Sequence, residues 1–337
     1  MSTNIHHGHQ AEFWRRLDAK RVECELCPHQ CRINEGQAGR CRVRGVSGGE
    51  LKALGYGLLS SAHVDPVEKK PLYHFHPGAS IFSIGGWGCN LGCVFCQNWS
   101  ISQEFRTGSP VHSPGAVVQA MKSEKSALVA YTYNEPLVGY EFVKDCCRLV
   151  READGKNVLV TNGYVEEGPA TGLLPLVDAL NVDIKSMDDA FYRKYCKATL
   201  PPVLRFCQQA VKAGCHVEIT NLIIPGLNDT DEGFTALSEW IRNNLGPLVP
   251  LHLSAYHPDY HMDSPVTPVP TLRRAWEICR RSLTYVYMGN VSVEVGQDTV
   301  CPGCGAMLIE RRGYATRLVR LHDGLCSGCG RRADVVG

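Results

Sequence analysis

Cys89, Cys93 and Cys96 stand at the spacing CxxxCxxC within Gly88-Cys89-Asn90-Leu91-Gly92-Cys93-Val94-Phe95-Cys96-Gln97-Asn98-Trp99. Three thiolates placed this way can reach three corners of a cube-shaped iron–sulfur cluster, whereas a closed site of that kind takes four. No fourth cysteine lies near in sequence, so one iron would stay open to another ligand. A zinc loop, or buried thiols that fall close together by chance, is the alternative. The flanking residues favour the cluster, because Ser80-Ile81-Phe82-Ser83-Ile84 reads as a buried strand and Gly85-Gly86 as its breaker. The cysteines then sit on a loop at a strand's C-terminal end, where α/β barrels keep their chemistry.

Two further cysteine sets have ligand spacing. Cys24-x2-Cys27-x3-Cys31-x9-Cys41 gathers four thiols, with Pro28, Gly36 and Gly39 supplying turns. Zinc in a small knuckle and a second iron–sulfur cluster both accept four cysteines, and unliganded thiols are a third reading. At the C-terminus Cys301, Cys304, Cys326 and Cys329 form CxxC-x21-CxxC around a strand-like Tyr314 to Leu321. That pattern reads as a zinc ribbon ahead of redox dithiols or a rubredoxin-like iron. Cys146, Cys147, Cys207 and Cys279 fall on helical patterns and read as core. His6, His7 and His9 could bind a metal only weakly, and nothing rests on them.

The elements that must position these groups follow from periodicity. Residues 12–21 have a short helical look. From residue 79 apolar β-branched runs alternate with helical patterns: strands at 79–84, 127–133, 157–162, 179–184, 216–224 and 250–256, with a seventh possible at Tyr285-Val286-Tyr287-Met288. Helices are expected near 114–124, 137–152, 169–178, 188–198, 202–214, 230–244 and 270–283. Alternation of this kind implies a parallel sheet and an α/β fold, a partial (β/α)6-type barrel. The expected division is 1–78 as an N-terminal segment with a four-cysteine metal module, 79–295 as the barrel, and 296–337 as a zinc-ribbon-like tail. Polar residues collect at the strand ends: Tyr131-Thr132-Tyr133-Asn134-Glu135-Pro136, Thr161-Asn162-Gly163, Asp183-Ile184-Lys185, Pro225-Gly226-Leu227-Asn228 and Tyr256-His257. Turns and caps would account for Asn, Asp, Gly and Pro there, but not for Glu135, Lys185 and His257 together on one rim. Lys69 and Lys70, followed by His74 and His76, could line the mouth, although a solvated charged loop is the commoner fate of such a run.

Composition narrows the classes. Basic and acidic residues nearly cancel at 35 to 34 in 337 residues, which gives no global reason to expect nucleic acid. No apolar run approaches a membrane span and the first residues lack a signal peptide's apolar stretch, so a cytoplasmic protein is expected. Seventeen cysteines in ligand-spaced groups of a long chain point to metal rather than disulfides. The C-terminal arginines Arg311, Arg312, Arg317, Arg320, Arg331 and Arg332 make a basic tail that suits an acidic protein surface or plain solubility better than nucleic acid.

The segment from Cys89 to Cys96 resembles the cluster loop of the radical S-adenosylmethionine (SAM) superfamily, in which an aromatic residue, here Phe95, precedes the last cysteine. The resemblance implies a [4Fe–4S] cluster whose open iron chelates SAM, and catalysis that depends on Cys89, Cys93 and Cys96. Over residues 79–260 the chain is similar to glycyl radical enzyme activating enzymes such as the pyruvate formate-lyase activase, in Asn134-Glu135, Thr161-Asn162-Gly163, Asp183-Ile184-Lys185, Pro225-Gly226-Leu227 and Tyr256-His257. It departs from them where Tyr133-Asn134 replaces a glycine pair before Glu135 and Val160 precedes the Thr-Asn-Gly. By resemblance Glu135 would hold the SAM ammonium, Asn162 and His257 its carboxylate or ribose, and Thr161 with Asp183 a supporting cation. Cys24-Glu25-Leu26-Cys27-Pro28-His29, the run from Asp65 to Phe75, Cys96-Gln97-Asn98-Trp99 and Tyr131 to Pro136 together resemble the radical SAM member of the AmmeMemoRadiSam system. That resemblance implies Memo-like and AMMECR-like partners, an electron donor such as flavodoxin or ferredoxin, and reductive cleavage of SAM to a 5′-deoxyadenosyl radical that abstracts hydrogen. The alternatives are an activase that installs a glycyl radical on a partner protein, and a zinc-loaded module that binds protein or RNA.

Overall fold

The computed structural model describes residues 8–106, 108, 110–293 and 295–337; His6 and His7 lie outside them. Its centre is one eight-stranded sheet in the order β8-β7-β6-β5-β4-β3-β2-β1, where β1 is Ser61–Pro66, β2 Ser80–Gly85, β3 Leu128–Tyr131, β4 Lys156–Thr161, β5 Ala179–Asp183, β6 His216–Ile223, β7 Leu251–Ala255 and β8 Val286–Gly289. Strands β2 to β8 pair in parallel, and β1 closes the β2 edge antiparallel. The expected parallel α/β architecture is present, and Val286–Gly289 supplies the seventh parallel strand by pairing with β7. The sheet begins at Ser61, inside the segment assigned to the N-terminal module, because β1 pairs with β2 along its whole length.

Six helices make the crossovers: α1 Pro114–Ser123, α2 Tyr140–Glu152, α3 Glu167–Leu173, α4 Leu200–Lys212, α5 Asp231–Asn244 and α6 Val269–Cys279. Local chemistry starts them where the sequence suggests. Ser113 Oγ accepts from the Ala116 N–H at 3.2 Å with Pro114 in the first turn, and Thr230 Oγ1 accepts from Gly233 at 3.1 Å. In α2, Phe142, Val143, Cys146, Cys147 and Val150 fall on one stripe and are buried against the sheet. The helix expected at 188–198 is a short turn, Asp189–Phe191, running into a π-helical Tyr192–Cys196.

The N-terminal region differs from expectation. Residues 12–21 are not helical: Trp14–Arg16 pairs antiparallel with Arg21–Cys24, which pairs in turn with Arg32–Asn34. Non-local pairing outweighs local periodicity there, with Val22 and Cys24 on the core face and Glu23 on the other, covered by Arg15 and Arg32 at 2.5 and 2.9 Å. Val22, Leu26, Ile33, Val46 and Leu51 join the barrel in one continuous core. A buried ion pair from Arg44 to Glu141 of α2, at 2.9 Å, ties the two regions further.

At the other end of the chain Met307–Arg312 pairs with Ala315–Leu318 over a small core of its own. This tail docks on the barrel through Arg311, whose guanidinium donates to the Tyr73 carbonyl at 2.7 Å and to Thr299 Oγ1 at 2.8 Å, and lies 4.1 Å over the Tyr73 ring. Among the described residues no helix is long and apolar enough to cross a membrane.

Candidate functional site

A cavity of about 540 Å³ opens beside the C-terminal ends of the strands, within the size range of small-molecule sites. Residues following β1, β2, β3, β4, β5 and β8, together with side chains of β6 and β7, line this one space, so the sheet must curl around it. Cys89, Phe95, Glu135, Asn162 and Lys185 are among its walls, with Cys93, Cys96, Asn134, Thr161 and Asp183. Ten of the residues singled out by sequence thus meet in one place.

The cysteine loop is shaped by glycine. Gly88 has φ +81, and a Cβ there would lie 2.3 Å from the Cys41 carbonyl oxygen, so only glycine permits this approach of the N-terminal module. Asn134 stitches the loop to the end of β3: its Oδ1 accepts from the Gly86 N–H at 3.0 Å and its Nδ2 donates to the Gly88 carbonyl at 2.9 Å. Asn134 therefore positions the loop.

Each thiol meets a donor. Cys89 Sγ accepts from the Leu91 N–H at 3.4 Å and from Asn162 Nδ2 at 3.5 Å. Cys96 is approached by the Asn98 N–H and the Ser102 hydroxyl. Cys93 accepts from Cys196, a thiol the fold brings from the π-helical turn more than one hundred residues away. Burial pushes Cys89 well above the ordinary thiol range, Glu135 and Cys93 adding to it, so a thiolate there needs a compensating cation. No three ligand atoms among Cys89, Cys93 and Cys96 lie within 4.8 Å of one another, whereas Cys301, Cys304, Cys326 and Cys329 do. The donor set fits a multi-iron cluster and is too wide for one tetrahedral ion, whose sulfurs stand about 3.8 Å apart.

Glu135 is the hub of the polar wall. Its Oε1 accepts from Thr161 Oγ1 at 2.7 Å and the Leu137 N–H at 3.0 Å, and its Oε2 from the Asn162 N–H at 2.8 Å. One lone pair stays free for a cationic ligand. Burial pushes its carboxyl up to about 7 despite those donors. Opposite, Lys185 Nζ lies 2.7 Å from Asp183. Burial pulls the Lys185 ammonium down, but Asp183 and Cys93 outweigh it and hold it charged.

Several residues of the wall escaped sequence reasoning. Gln97 Nε2 and Thr220 Oγ1 are buried without a hydrogen-bond partner, and both residues line the cavity. Two orphaned polar groups in one such wall are what a polar ligand would satisfy. The CQNW run could have flagged Gln97; nothing in sequence flagged Thr220, Ser102 or Cys196. Lys69 and Lys70 do line the cavity. Lys70 is buried 2.6 Å from Asp65, which Tyr133 also contacts through its hydroxyl. Tyr133 holds φ +70, its ring lying 4.5 Å from Lys70 Nζ.

Other expectations fall elsewhere. His257 is exposed and outside the cavity, and Gly226 is an exposed turn at φ +75, so neither meets the ligand space. The turn and the segment after β7 carry them outward. His74 is buried at the opposite end of the sheet, donating from Nδ1 to the Asp334 carbonyl at 2.6 Å, and His76 packs there too. His9 stacks on Tyr56. The four C-terminal thiols gather at single-ion spacing, Cys301 to Cys329 at 3.6 Å and Cys304 to Cys326 at 3.7 Å, and could bind a metal. Cys24, Cys27, Cys31 and Cys41 line a separate small cavity.

Residues 84–241 match the Radical SAM superfamily. The chain is 43% identical over 333 residues, 97% of its length and 99% of the relative's, to uncharacterized protein MJ0808 of Methanocaldococcus jannaschii. It is 24% identical over 177 residues, half of this chain and 71% of the relative, to pyruvate formate-lyase 1-activating enzyme of Escherichia coli. A radical SAM methyltransferase from Sphaerobacter thermophilus superposes with a TM-score of 0.49 at 18% identity, over 66% of this chain and 71% of that one. The chain belongs to the radical SAM superfamily, whose members are enzymes, and is homologous to the pyruvate formate-lyase activating enzymes.

Proposed function

We propose that this chain is a radical SAM enzyme in which Cys89, Cys93 and Cys96 hold a [4Fe–4S] cluster and the adjoining cavity holds SAM. When bound, that pair supplies one-electron reductive cleavage of the sulfonium, giving methionine and a 5′-deoxyadenosyl radical that takes hydrogen from a substrate. The observation that carries the reading is the convergence of three donor-supported thiols with Glu135, Asn162 and the Asp183–Lys185 pair around one cavity. The remaining lone pair of Glu135 suits the SAM ammonium. Gln97 and Thr220 offer hydrogen bonds with no other claimant. Leu91, Phe95 and Leu222 supply apolar wall that keeps water from a reactive radical. Zinc suits the C-terminal thiols, which stand at the spacing of one tetrahedral ion.

The substrate reading that fits best is a small molecule, or a residue of a Memo-like or AMMECR-like partner, as in the AmmeMemoRadiSam system, with a flavodoxin or ferredoxin as reductant. Lys70 and Tyr133, tied together through Asp65, support it by adding a polar, cationic wall to the cavity. A second reading, an activase that installs a glycyl radical on a partner protein, is favoured by the similarity to pyruvate formate-lyase 1-activating enzyme.

The test is anaerobic reconstitution with iron and sulfide, reduction by dithionite in the presence of SAM, and chromatography for 5′-deoxyadenosine. Release is expected from the intact chain and lost on replacing any one of Cys89, Cys93 or Cys96 by Ala; release that survives these changes overturns the proposal. A protein-bound doublet by electron paramagnetic resonance on a partner would establish the activase reading.

A further inference from the structure

The four N-terminal cysteines present a metal site that the chemistry above does not use. Cys24, Cys27, Cys31 and Cys41 line one small cavity with His29, Gly39, Arg44 and Asn90. The chain contains its own reference for a single-ion site. The C-terminal thiols pair at 3.6 and 3.7 Å, the separation of sulfurs around one zinc, whereas no three of the N-terminal ligand atoms lie within 4.8 Å of one another. Four thiols that share a cavity but stand too far apart for one ion call for a multi-atom occupant.

The surroundings suit an anionic centre. Backbone N–H groups of Leu26, His29 and Val43 point at Cys24, Cys27 and Cys41. Arg44 is 1% exposed; its Nη1 is engaged by Glu141 and its Nη2 by the Glu12 carbonyl, while its Nε has no partner. The buried guanidinium belongs to the cavity wall and bonds toward Cys24. Hydrogen bonds to cluster sulfurs and nearby positive charge raise a cluster's potential and so favour its reduction.

Position gives the site a use. Asn90 lines this cavity and directly follows Cys89. Its carbonyl accepts from His29 Nε2 at 2.8 Å, and its side chain accepts from Asn162 at 3.0 Å, the residue that also donates to Cys89. The Gly88 backbone meets the Cys41 carbonyl in the same seam. The two cysteine loops are therefore packed against each other through backbone and one shared asparagine.

We infer that Cys24, Cys27, Cys31 and Cys41 hold a second, fully ligated iron–sulfur cluster that passes electrons to the cluster loop at Cys89. One electron enters from a low-potential protein donor, which is oxidised, and leaves for the cluster proposed at Cys89, Cys93 and Cys96, which is reduced; no bond or proton changes hands. The relay rests on the radical SAM reading, but the presence of the cluster does not.

The experiment uses the full chain reconstituted anaerobically, beside a C89A/C93A/C96A variant that leaves the N-terminal site intact. Expected in the variant are iron with acid-labile sulfide, sulfur-to-iron absorption, and a reduced-state paramagnetic signal that SAM leaves unchanged. Zinc in its place, or iron without labile sulfide, overturns the assignment, since a rubredoxin-like iron at the C-terminal thiols carries no sulfide. If the radical reading alone fails, the variant still holds iron and sulfide while the intact chain releases no deoxyadenosine. For the relay, the intact protein is mixed with less than one equivalent of reduced ferredoxin and freeze-quenched. The SAM-insensitive signal is expected to form first, and its absence while the SAM-sensitive signal grows overturns electron transfer by this route.

Discussion

Glu135 shows how one carboxylate can serve both scaffold and ligand. Three protein donors fix it, and burial still holds its carboxyl at about 7. Below that pH it is protonated and offers little to an ammonium group. SAM affinity is therefore expected to fall as pH drops through about 7, with proton release on binding near pH 6, measurable by calorimetry in buffers of different ionisation enthalpy. Glu135→Gln should weaken SAM binding about tenfold, roughly 1.4 kcal/mol, and remove the pH dependence. A pH profile unchanged by the substitution would take Glu135 away from the ammonium. The ligand-free protein follows the same linkage. A carboxyl raised in the folded state contributes stability below its unfolded value, and that contribution is lost as pH rises toward about 7. Glu135 was legible in the sequence because Glu is not among the residues that turns prefer, although its carboxylate also caps the short turn that follows through the Leu137 N–H. Cys196 was not, since its approach to Cys93 depends on a π-helical turn that no local pattern announces.

At the scale of elements, the decisive contact is between two loops. The Cys89 loop leaves β2 and presses Gly88 onto the Cys41 carbonyl at the end of the N-terminal cysteine run. A side chain at Gly88 meets both obstacles at once, left-handed backbone and backbone oxygen. Gly88→Ala is expected to cost about 2 kcal/mol or more in a denaturant titration. It should also lower the iron retained after reconstitution, because neither loop can stay where the other needs it. Normal stability with full iron would show that the two loops are independent. The N-terminal strands are also where local reading failed. Residues 12–21 carry a mixed pattern that fits helix or strand, and pairing with Arg21–Cys24 and Arg32–Asn34 settles it.

Across the whole molecule, both termini are bound into the barrel. The N-terminal module shares the barrel's core and sends Arg44 to Glu141, while the tail inserts Arg311 beneath Tyr73. Near the tail's anchor lies a buried network. Glu218 accepts from His216 at 2.9 Å, from His252 at 2.6 Å, and from the N–H groups of Tyr73 and His74. His74 donates from Nδ1 to the Asp334 carbonyl, so its Nε2 is left to accept from the Tyr287 hydroxyl at 2.6 Å, the neutral tautomer. Burial pulls its pKa down from 6.5 to about 4. A histidine depressed in the folded state gives stability that is present above 6.5 and lost as pH falls toward 4. Unfolding titrations should show this loss, about 3 kcal/mol, and His74→Gln, which keeps a donor and an acceptor without titrating, should flatten it. Equal acid sensitivity of the two proteins would place the effect on other groups.

The sequence by itself determined the alternating strands and helices, the parallel sheet and the identity of the three-cysteine loop. Those signals are local: apolar runs of strand or helix length, glycine breakers, and ligands a few residues apart. It also placed Glu135, Asn162, Asp183 and Lys185 on one rim, because strand ends in a parallel barrel must face the same way. Only the tertiary structure decided that Thr220, Gln97 and Lys70 line the same cavity, and that His257 points away from it. It alone showed how the two four-cysteine sets differ in spread, where spacing had read the C-terminal set as a zinc ribbon and left the N-terminal set between zinc, a second cluster and free thiols. One is drawn to the separation of a single ion and the other is spread around a cavity. Sulfur-to-sulfur distance depends on how loops from distant parts of the chain pack, and spacing along the backbone does not encode it.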